Sequence, residues 1–256
     1  MQTQWQWFCL AITFLTRIPL PVRGEVDNEA LARCQRWFAL AGALIGVLAA
    51  SIYLLAALLW PLPVAALITL VALLLLTGGL HEDGLADCAD GIGGARDVGA
   101  RLAIMKDSRV GSYGVLALVV SFVGRLLLLG ALSPALAAVA LIAAHCLSRA
   151  LAALLMGALP YLRRDESSRV RAMTGAQRPS DRRWLIGVAL AVALAALGPS
   201  TALVVLAVTG LVGGLAWLFF RRQLGGVTGD ALGAAQQVSE LAVYLTLTAL
   251  FPYRDF

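Results

Sequence analysis

Residues 78–114, GGLHEDGLADCADGIGGARDVGARLAIMKDSRVGSYG, carry six carboxylates and four cations between two runs apolar enough to sit in lipid. If the middle of this stretch is helical, Asp83, Asp87, Asp90 and Asp97 follow one another at steps of four, three and seven, which places them on one face. Like charges stacked in that way repel, so the face predicts a counter-cation. The competing account is a solvated loop whose acids merely avoid the membrane. Against it, the acids are separated by small residues (Gly84, Ala86, Ala89, Gly91, Gly93, Gly94) and not by Lys or Arg partners. Small neighbours let a ligand approach closely. Oxygen donors without His or Cys at zinc spacing suit a hard cation, magnesium first, which binds through one or two carboxylates, waters and substrate phosphates. Glu82, Asp83, Asp87 and Asp90 are the candidate ligands, and a phosphorylated substrate is expected.

The composition around this stretch is that of an integral membrane protein: 256 residues, 60% hydrophobic and 14% charged. The net charge of +5 rests on arginine, with Lys106 the single lysine, which suits phosphate and anionic headgroups. No nucleic-acid module is evident. Cys9, Cys34, Cys88 and Cys146 form no CxxC pair, which argues against a zinc site or a disulfide framework.

Working outward along the chain, residues 5–16 are apolar but short of the roughly 20 needed to span a bilayer, so they predict a re-entrant or interfacial helix ended by the Pro19 and Pro21 segment. They lack a basic leader and a small-residue cleavage site and are read as part of the mature fold. Seven spans are then expected, at about 37–60, 64–80, 113–132, 134–159, 184–197, 201–220 and 231–251, with a polar, arginine-rich loop at 160–183. The fold class is thus all-α, a polytopic membrane helical bundle of about seven transmembrane helices. Nothing marks a second domain, so residues 1–256 are expected to form one integral membrane domain.

The segments 17–36, 81–112, 160–183 and 221–230 hold 17 of the 20 Lys and Arg, while the turns at 61–63, 130–134 and 198–200 hold none. This asymmetry puts the acidic stretch, the arginine loop and the Thr228-Gly229-Asp230 turn on the cytoplasmic face. Lys106, Ser108 and Arg109 precede the third span, where free helix N–H groups and small residues leave room for an anion. Arg125, His145, Arg149, Gln236, Gln237 and Glu240 fall inside spans, where polar groups face protein or a cavity. His145 is expected to bond between helices, whereas Glu240, on the helix that follows Asp230, is a candidate for substrate contact together with Thr228 and Asp230.

The runs 80–91 and 105–114, supported by Phe14–Pro19, Gly225–Ala234 and Ser239-Glu240, resemble the cobalamin synthase family, the adenosylcobinamide-GDP ribazoletransferases of bacteria and archaea. The likeness covers nearly the whole chain. It implies a magnesium-dependent enzyme of the cytoplasmic (inner) membrane that joins alpha-ribazole or its 5′-phosphate to adenosylcobinamide-GDP and releases GMP. It leaves room for a homo-oligomer or for association with other enzymes of cobalamin assembly. On that view a ribose hydroxyl attacks the phosphorus nearer the cobinamide, with Asp83, Asp87 and Asp90 around one or two magnesium ions. Asp97 or Asp107 either completes the metal shell or accepts the hydroxyl proton, Lys106 and Arg109 contact phosphate oxygens, and Asp230 and Glu240 bind ribose or a second metal. Asp87-x2-Asp90-Gly91 also echoes the CDP-alcohol phosphotransferases, the alternative enzyme, although Ala95 and Arg96 come one residue late. The non-enzymatic alternative is a small-molecule transporter whose intramembrane charges line a path.

Overall fold

A computed structural model describes residues 3–22, 26–162, 173 and 177–251. The expected arginine loop falls largely on 163–172 and 174–176, and Arg23 and Glu25 also lie outside the described residues. The described residues are helical, with one isolated bridge between Tyr161 and Val227.

The short first helix, α1 (Gln4–Leu15), is closed at its start by a capping box: Gln6 N–H donates to the Thr3 hydroxyl, and the Thr3 N–H donates to Gln6 Oε1 at 2.7 Å. Helix α2 (Asn28–Cys34) is capped by Asp27 and passes through a 3-10 turn at Gln35–Trp37 into α3 (Phe38–Ala57). There follow α4 (Leu62–Thr77), α5 (Leu80–Gly94), α6 (Val98–Ile104), α7 (Ser112–Gly130), α8 (Pro134–Ala158), α9 (Pro179–Leu197), α10 (Pro199–Gln223) and α11 (Gly229–Leu250). Each of the seven expected spans coincides with a helix. Four stretches are long and apolar enough to cross a membrane, namely 28–57, α7, α8 and α10, and α4 with α5 makes a fifth if that bent pair counts as one span. Helix α9 begins on Asp181, Arg182 and Arg183, and α11 carries Gln236, Gln237 and Glu240, which takes both below that mark.

Packing is centred on α8, the most buried of these helices. It lies antiparallel to α3, and the pair touches through Gly42 and Gly46. A methyl group on Gly42 would strike the His145 carbonyl, and one on Gly46 would come within 2.7 Å of the Leu141 carbonyl. Small residues four apart allow this approach of backbones, which in lipid supplies dispersion contact where the hydrophobic effect gives none.

The acidic stretch is not a loop. Helix α4 ends at Gly78 and α5 leaves at 88° to it, turned by Gly78 (φ 71°) and Gly79 (φ 70°), a left-handed pair that only glycine adopts without strain. Helix α5 thereby enters the bundle, packing on α7 and α11. At the crossing with α11, a methyl group on Gly84 would stand 3.0 Å from the Asp230 backbone, and one on Gly233 3.3 Å from the His81 backbone.

The loops that the charge count grouped together do meet at one end. Arg33 and Arg36 both pair with Asp181 at 2.9 Å, Leu162 N–H donates to the Val227 carbonyl, and Arg101 Nη1 donates to the Gln223 carbonyl. At the opposite end Gly130 packs on Pro63.

Candidate active site

Helix α5 stops at Gly94, so the expected single face of four aspartates is corrected at its last member. Asp97 is the N-cap of α6, where it accepts from Ala100 N–H at 2.9 Å. Asp90 is also differently engaged. Its two carboxylate oxygens accept from Gly111 N–H at 2.7 Å and Gly114 N–H at 2.8 Å, so the anion expected at the start of α7 is the chain's own. Gly111 and Gly114 have to be small here, since a methyl on either would run into that carboxylate. Lys106, Ser108 and Arg109 stay exposed and do not gather around a vacant helix end. Arg109 instead forks onto Asp107, with Nη2 2.5 Å from Oδ2. The guanidinium bond, reinforced by the Arg109 backbone N–H, holds the Asp107 carboxyl down at about 2.

Glu82 and Glu240 turn out to belong to the interior. Arg125 Nη1 donates to Glu82 Oε1 at 3.1 Å and stands 3.6 Å from Glu240 Oε1. Gln237 Nε2 donates to Glu82 at 3.2 Å, and Gln236 Nε2 donates to Glu240 at 2.7 Å and to the Ser148 hydroxyl at 3.0 Å. His145 Nδ1 lies 3.2 Å from Glu240 and 2.8 Å from Arg149 Nη1. Two acids face two arginines, so the network is neutral, and it ties α5, α7, α8 and α11 together. The interhelical role expected of His145 matches this arrangement. The substrate role expected of Glu240 does not, because Glu240 is 1% exposed and held by these partners. Glu82 engages Arg125 and Gln237 through Oε1 alone; its Oε2 has no hydrogen-bond partner among the described residues, and the residue also lines the wider of two cavities that meet at Asp83. Thr228 likewise is fully buried and caps α11 through Ala231 N–H at 3.1 Å.

What remains is a smaller group: Asp83, Asp87 and Asp230. Asp83 and Asp87 are one turn apart on α5, and Asp230 sits against Gly84 between them. Asp83 is exposed, while Asp87 and Asp230 are half-buried. Among the described residues no group of three or more His, Cys, Asp or Glu side chains is placed to hold a metal ion. The donor set is nevertheless all oxygen, and a hard cation that keeps waters and phosphate oxygens in its shell needs only one or two carboxylates.

Two cavities meet at Asp83. The smaller, 220 Å³, is walled by Phe14, Leu15, Phe38, His81, Arg149, Ala152, Met156, Tyr161, Asp230 and Leu232. The wider, 650 Å³, is a cleft bounded by Thr16, Arg17, Thr77, Gly78, Gly79, Glu82, Ala86, Val110 and Leu118. Asp83, Leu80 and Phe14 form the wall common to both. Arg17 is held over the elbow, its backbone N–H bonded to the Leu76 carbonyl and its guanidinium lying on Gly78, where a side chain would displace it. A still larger recess of 750 Å³ between α5, α10 and α11 is lined mainly by apolar side chains such as Leu215, Phe219 and Val238 and has no carboxylate. The roles of His81, Arg149 and Tyr161 as cavity walls were hidden in the sequence, although a histidine beside the acid run and an arginine in mid-span were signals that polar groups face inward.

Helices long and apolar enough to cross a membrane, with two adjoining cavities that share the acidic side chain of Asp83, define a membrane-embedded helical protein. The chain belongs to the cobalamin-5-phosphate synthase family, whose sequence model matches residues 7–248. It is similar to proteins named adenosylcobinamide-GDP ribazoletransferase. That of Shewanella amazonensis is 42% identical over 247 residues, 95% of each chain. That of Shewanella frigidimarina is 44% identical over 95% of this chain and 94% of its own, and that of Shewanella pealeana 43% identical over 97% of each. The likeness carried by residues 80–91 and 105–114 is thus borne out. No solved structure matches the chain.

Proposed function

We infer that this protein is an adenosylcobinamide-GDP ribazoletransferase, joining adenosylcobinamide-GDP with alpha-ribazole or its 5′-phosphate to give adenosylcobalamin or its 5′-phosphate, with release of GMP. The names of relatives that share about 95% of the chain support the reaction. The observation that carries its location is Asp83, standing in the wall between a cleft and a smaller cavity. A group transfer needs donor and acceptor side by side with their reacting atoms at the common boundary.

In this reading the cleft takes the diphosphate of the donor, with Arg17 directed at its phosphate oxygens. A ribose hydroxyl of the acceptor forms the new O–P bond to the phosphorus nearer the cobinamide, the P–O bond to GMP breaks, and the hydroxyl proton passes to a carboxylate at the boundary. Asp83 is the group within reach of both cavities, and Asp87 and Asp230 complete its acidic surroundings. Asp83 and Asp230, which share the wall of the smaller cavity, would hold magnesium through one or two carboxylates, and the ion when bound would supply charge neutralisation on the phosphate oxygens. Asp90, Asp97 and Asp107 serve instead to fix the ends of α7 and α6 and the turn between them. The polar end, where Arg101 meets Gln223 and Arg33 meets Asp181, faces the cytoplasm in the cytoplasmic membrane, following the charge asymmetry of the loops.

The test is GMP release by the purified protein in detergent. Asp83→Asn and Asp87→Asn are expected to lower turnover by about 100-fold or more, with the melting temperature of exposed Asp83→Asn within about a degree or two of the parent. Near-normal turnover in both variants would remove the acid group from the reaction.

A further inference from the structure

The two cavities differ in a way that assigns the substrates to them. The smaller runs from exposed Asp83 down to Arg149, which is 2% exposed, and between them its walls are apolar: Phe14, Phe38, Met156 and Leu232. Asp83 and Asp230 make one end acidic, and their carboxylates accept hydrogen bonds from ribose hydroxyls. Its single permanent cation, Arg149, already stands 4.0 Å from Glu240, so the cavity offers little attraction for a second charge. Yet Arg149 Nε has no hydrogen-bond partner among the described residues, and a buried donor left unpaired is costly unless a ligand supplies the acceptor. An apolar bicyclic base with a ring nitrogen that accepts, joined to an uncharged ribose, matches each of these demands. A corrinoid bearing a diphosphate matches none of them and needs the wider cleft.

We propose that the cavity walled by Phe38, Arg149, Met156 and Leu232 is the seat of the nucleoside acceptor, its benzimidazole base inward and its ribose against Asp83 and Asp230. A 5′-phosphate, where the nucleoside carries one, points out past Asp83 toward the cleft and Arg17. The assignment rests on the ribazoletransferase reading given above, and it makes Ala152 and Met156 determinants of which base is accepted, since both line the cavity on α8 within two turns of Arg149.

The experiment is a fluorescence titration of the full-length protein in detergent with alpha-ribazole alone, followed by steady-state turnover with both substrates. Ala152→Phe, which fills part of the cavity, is expected to raise the dissociation constant and the KM for the nucleoside about 10-fold or more, with the KM for adenosylcobinamide-GDP within about twofold of the parent. Met156→Ala, which enlarges the same space without adding bulk, is expected to shift preference toward benzimidazoles with larger ring substituents. It keeps the test open should the Ala152 variant fail to fold. Unchanged nucleoside binding in Ala152→Phe, or a change confined to the KM for adenosylcobinamide-GDP, would overturn the assignment. So would unchanged base preference in Met156→Ala. Failure of the two readings is distinguishable: saturable binding of the nucleoside without any GMP release upholds the cavity and defeats the reaction, whereas GMP release that both variants leave untouched upholds the reaction and defeats the cavity.

Discussion

Among the acids, two neighbours of like appearance do opposite things. Asp83 projects into open space, whereas Asp90 is 7% exposed and bonded to two backbone N–H groups at the start of α7. Replacing Asp90 by Asn turns one acceptor into a donor facing a donor. That change is expected to cost about 1–3 kcal/mol, read as a lower melting temperature in detergent. Asp83→Asn should leave melting untouched and remove activity. At Asp107 the prediction concerns pH. Its carboxyl is held down at about 2 by Arg109, against an ordinary 3.8, so the pairing steadies the turn fully above that ordinary value and is lost as pH falls through about 2. A carboxyl signal assigned by its loss in Asp107→Asn should titrate near 2 and not near 3.8. Much of this was beyond the sequence for a plain reason: the four-three-seven spacing marks residues that could share a helical face, but where the helix ends is set by Ala95 taking an extended backbone. Nor does spacing say that Gly111 and Gly114, twenty residues on, will present their N–H groups to Asp90.

The element that matters most is the elbow between α4 and α5. Sequence patterning finds both helices, because their apolar and acidic compositions differ so sharply, but it leaves the 88° turn unseen, since Gly-Gly signals only that the backbone is free to turn. Gly78 and Gly79 share a left-handed conformation and differ in surroundings. Nothing lies within 4 Å of a methyl group on Gly79, whereas one on Gly78 meets the Arg17 guanidinium. Gly79→Ala is therefore expected to lose about 1–2 kcal/mol of stability with unaltered kinetics. Gly78→Ala should lose at least as much and in addition raise the KM for adenosylcobinamide-GDP several-fold, because Arg17 is pushed from the cleft. Unfolding in detergent paired with initial-rate kinetics on both variants checks the difference. The α3 and α8 contact was more legible. Gly42 and Gly46 are a small-residue pair at the right spacing on an apolar helix, a pattern that announces close backbone approach whatever the partner.

At the level of the molecule, the arginines, acids and glutamines inside the bundle form one mutually bonded set. Most of their contacts are to one another, which favours a structural role over a transport path, while Arg149 Nε and Glu82 Oε2 have no partner among the described residues. Removing one member leaves an opposite charge stranded: Arg125→Met or Glu82→Gln alone is expected to destabilise by about 3–5 kcal/mol, and the pair of changes together by clearly less than their sum. Melting of the two single variants and the double variant in detergent measures it. Helix positions, the gathering of loops at one end and the family were all readable from the chain. The division between structural and reactive acids was not, because it depends on which helix α5 leans against.

That bonded set also governs how the protein can be made. Glu240, Gln236 and Gln237 sit near the end of the chain, so while the ribosome is still reading the preceding helices, Glu82 and Arg125 wait in the bilayer with their partnership incomplete. Helix α5, with three aspartates and a glutamate, has little tendency of its own to leave water, and its most extensive packing partner is α11, which follows it by more than 130 residues. The acid helix therefore depends for its seat on a segment made well after it.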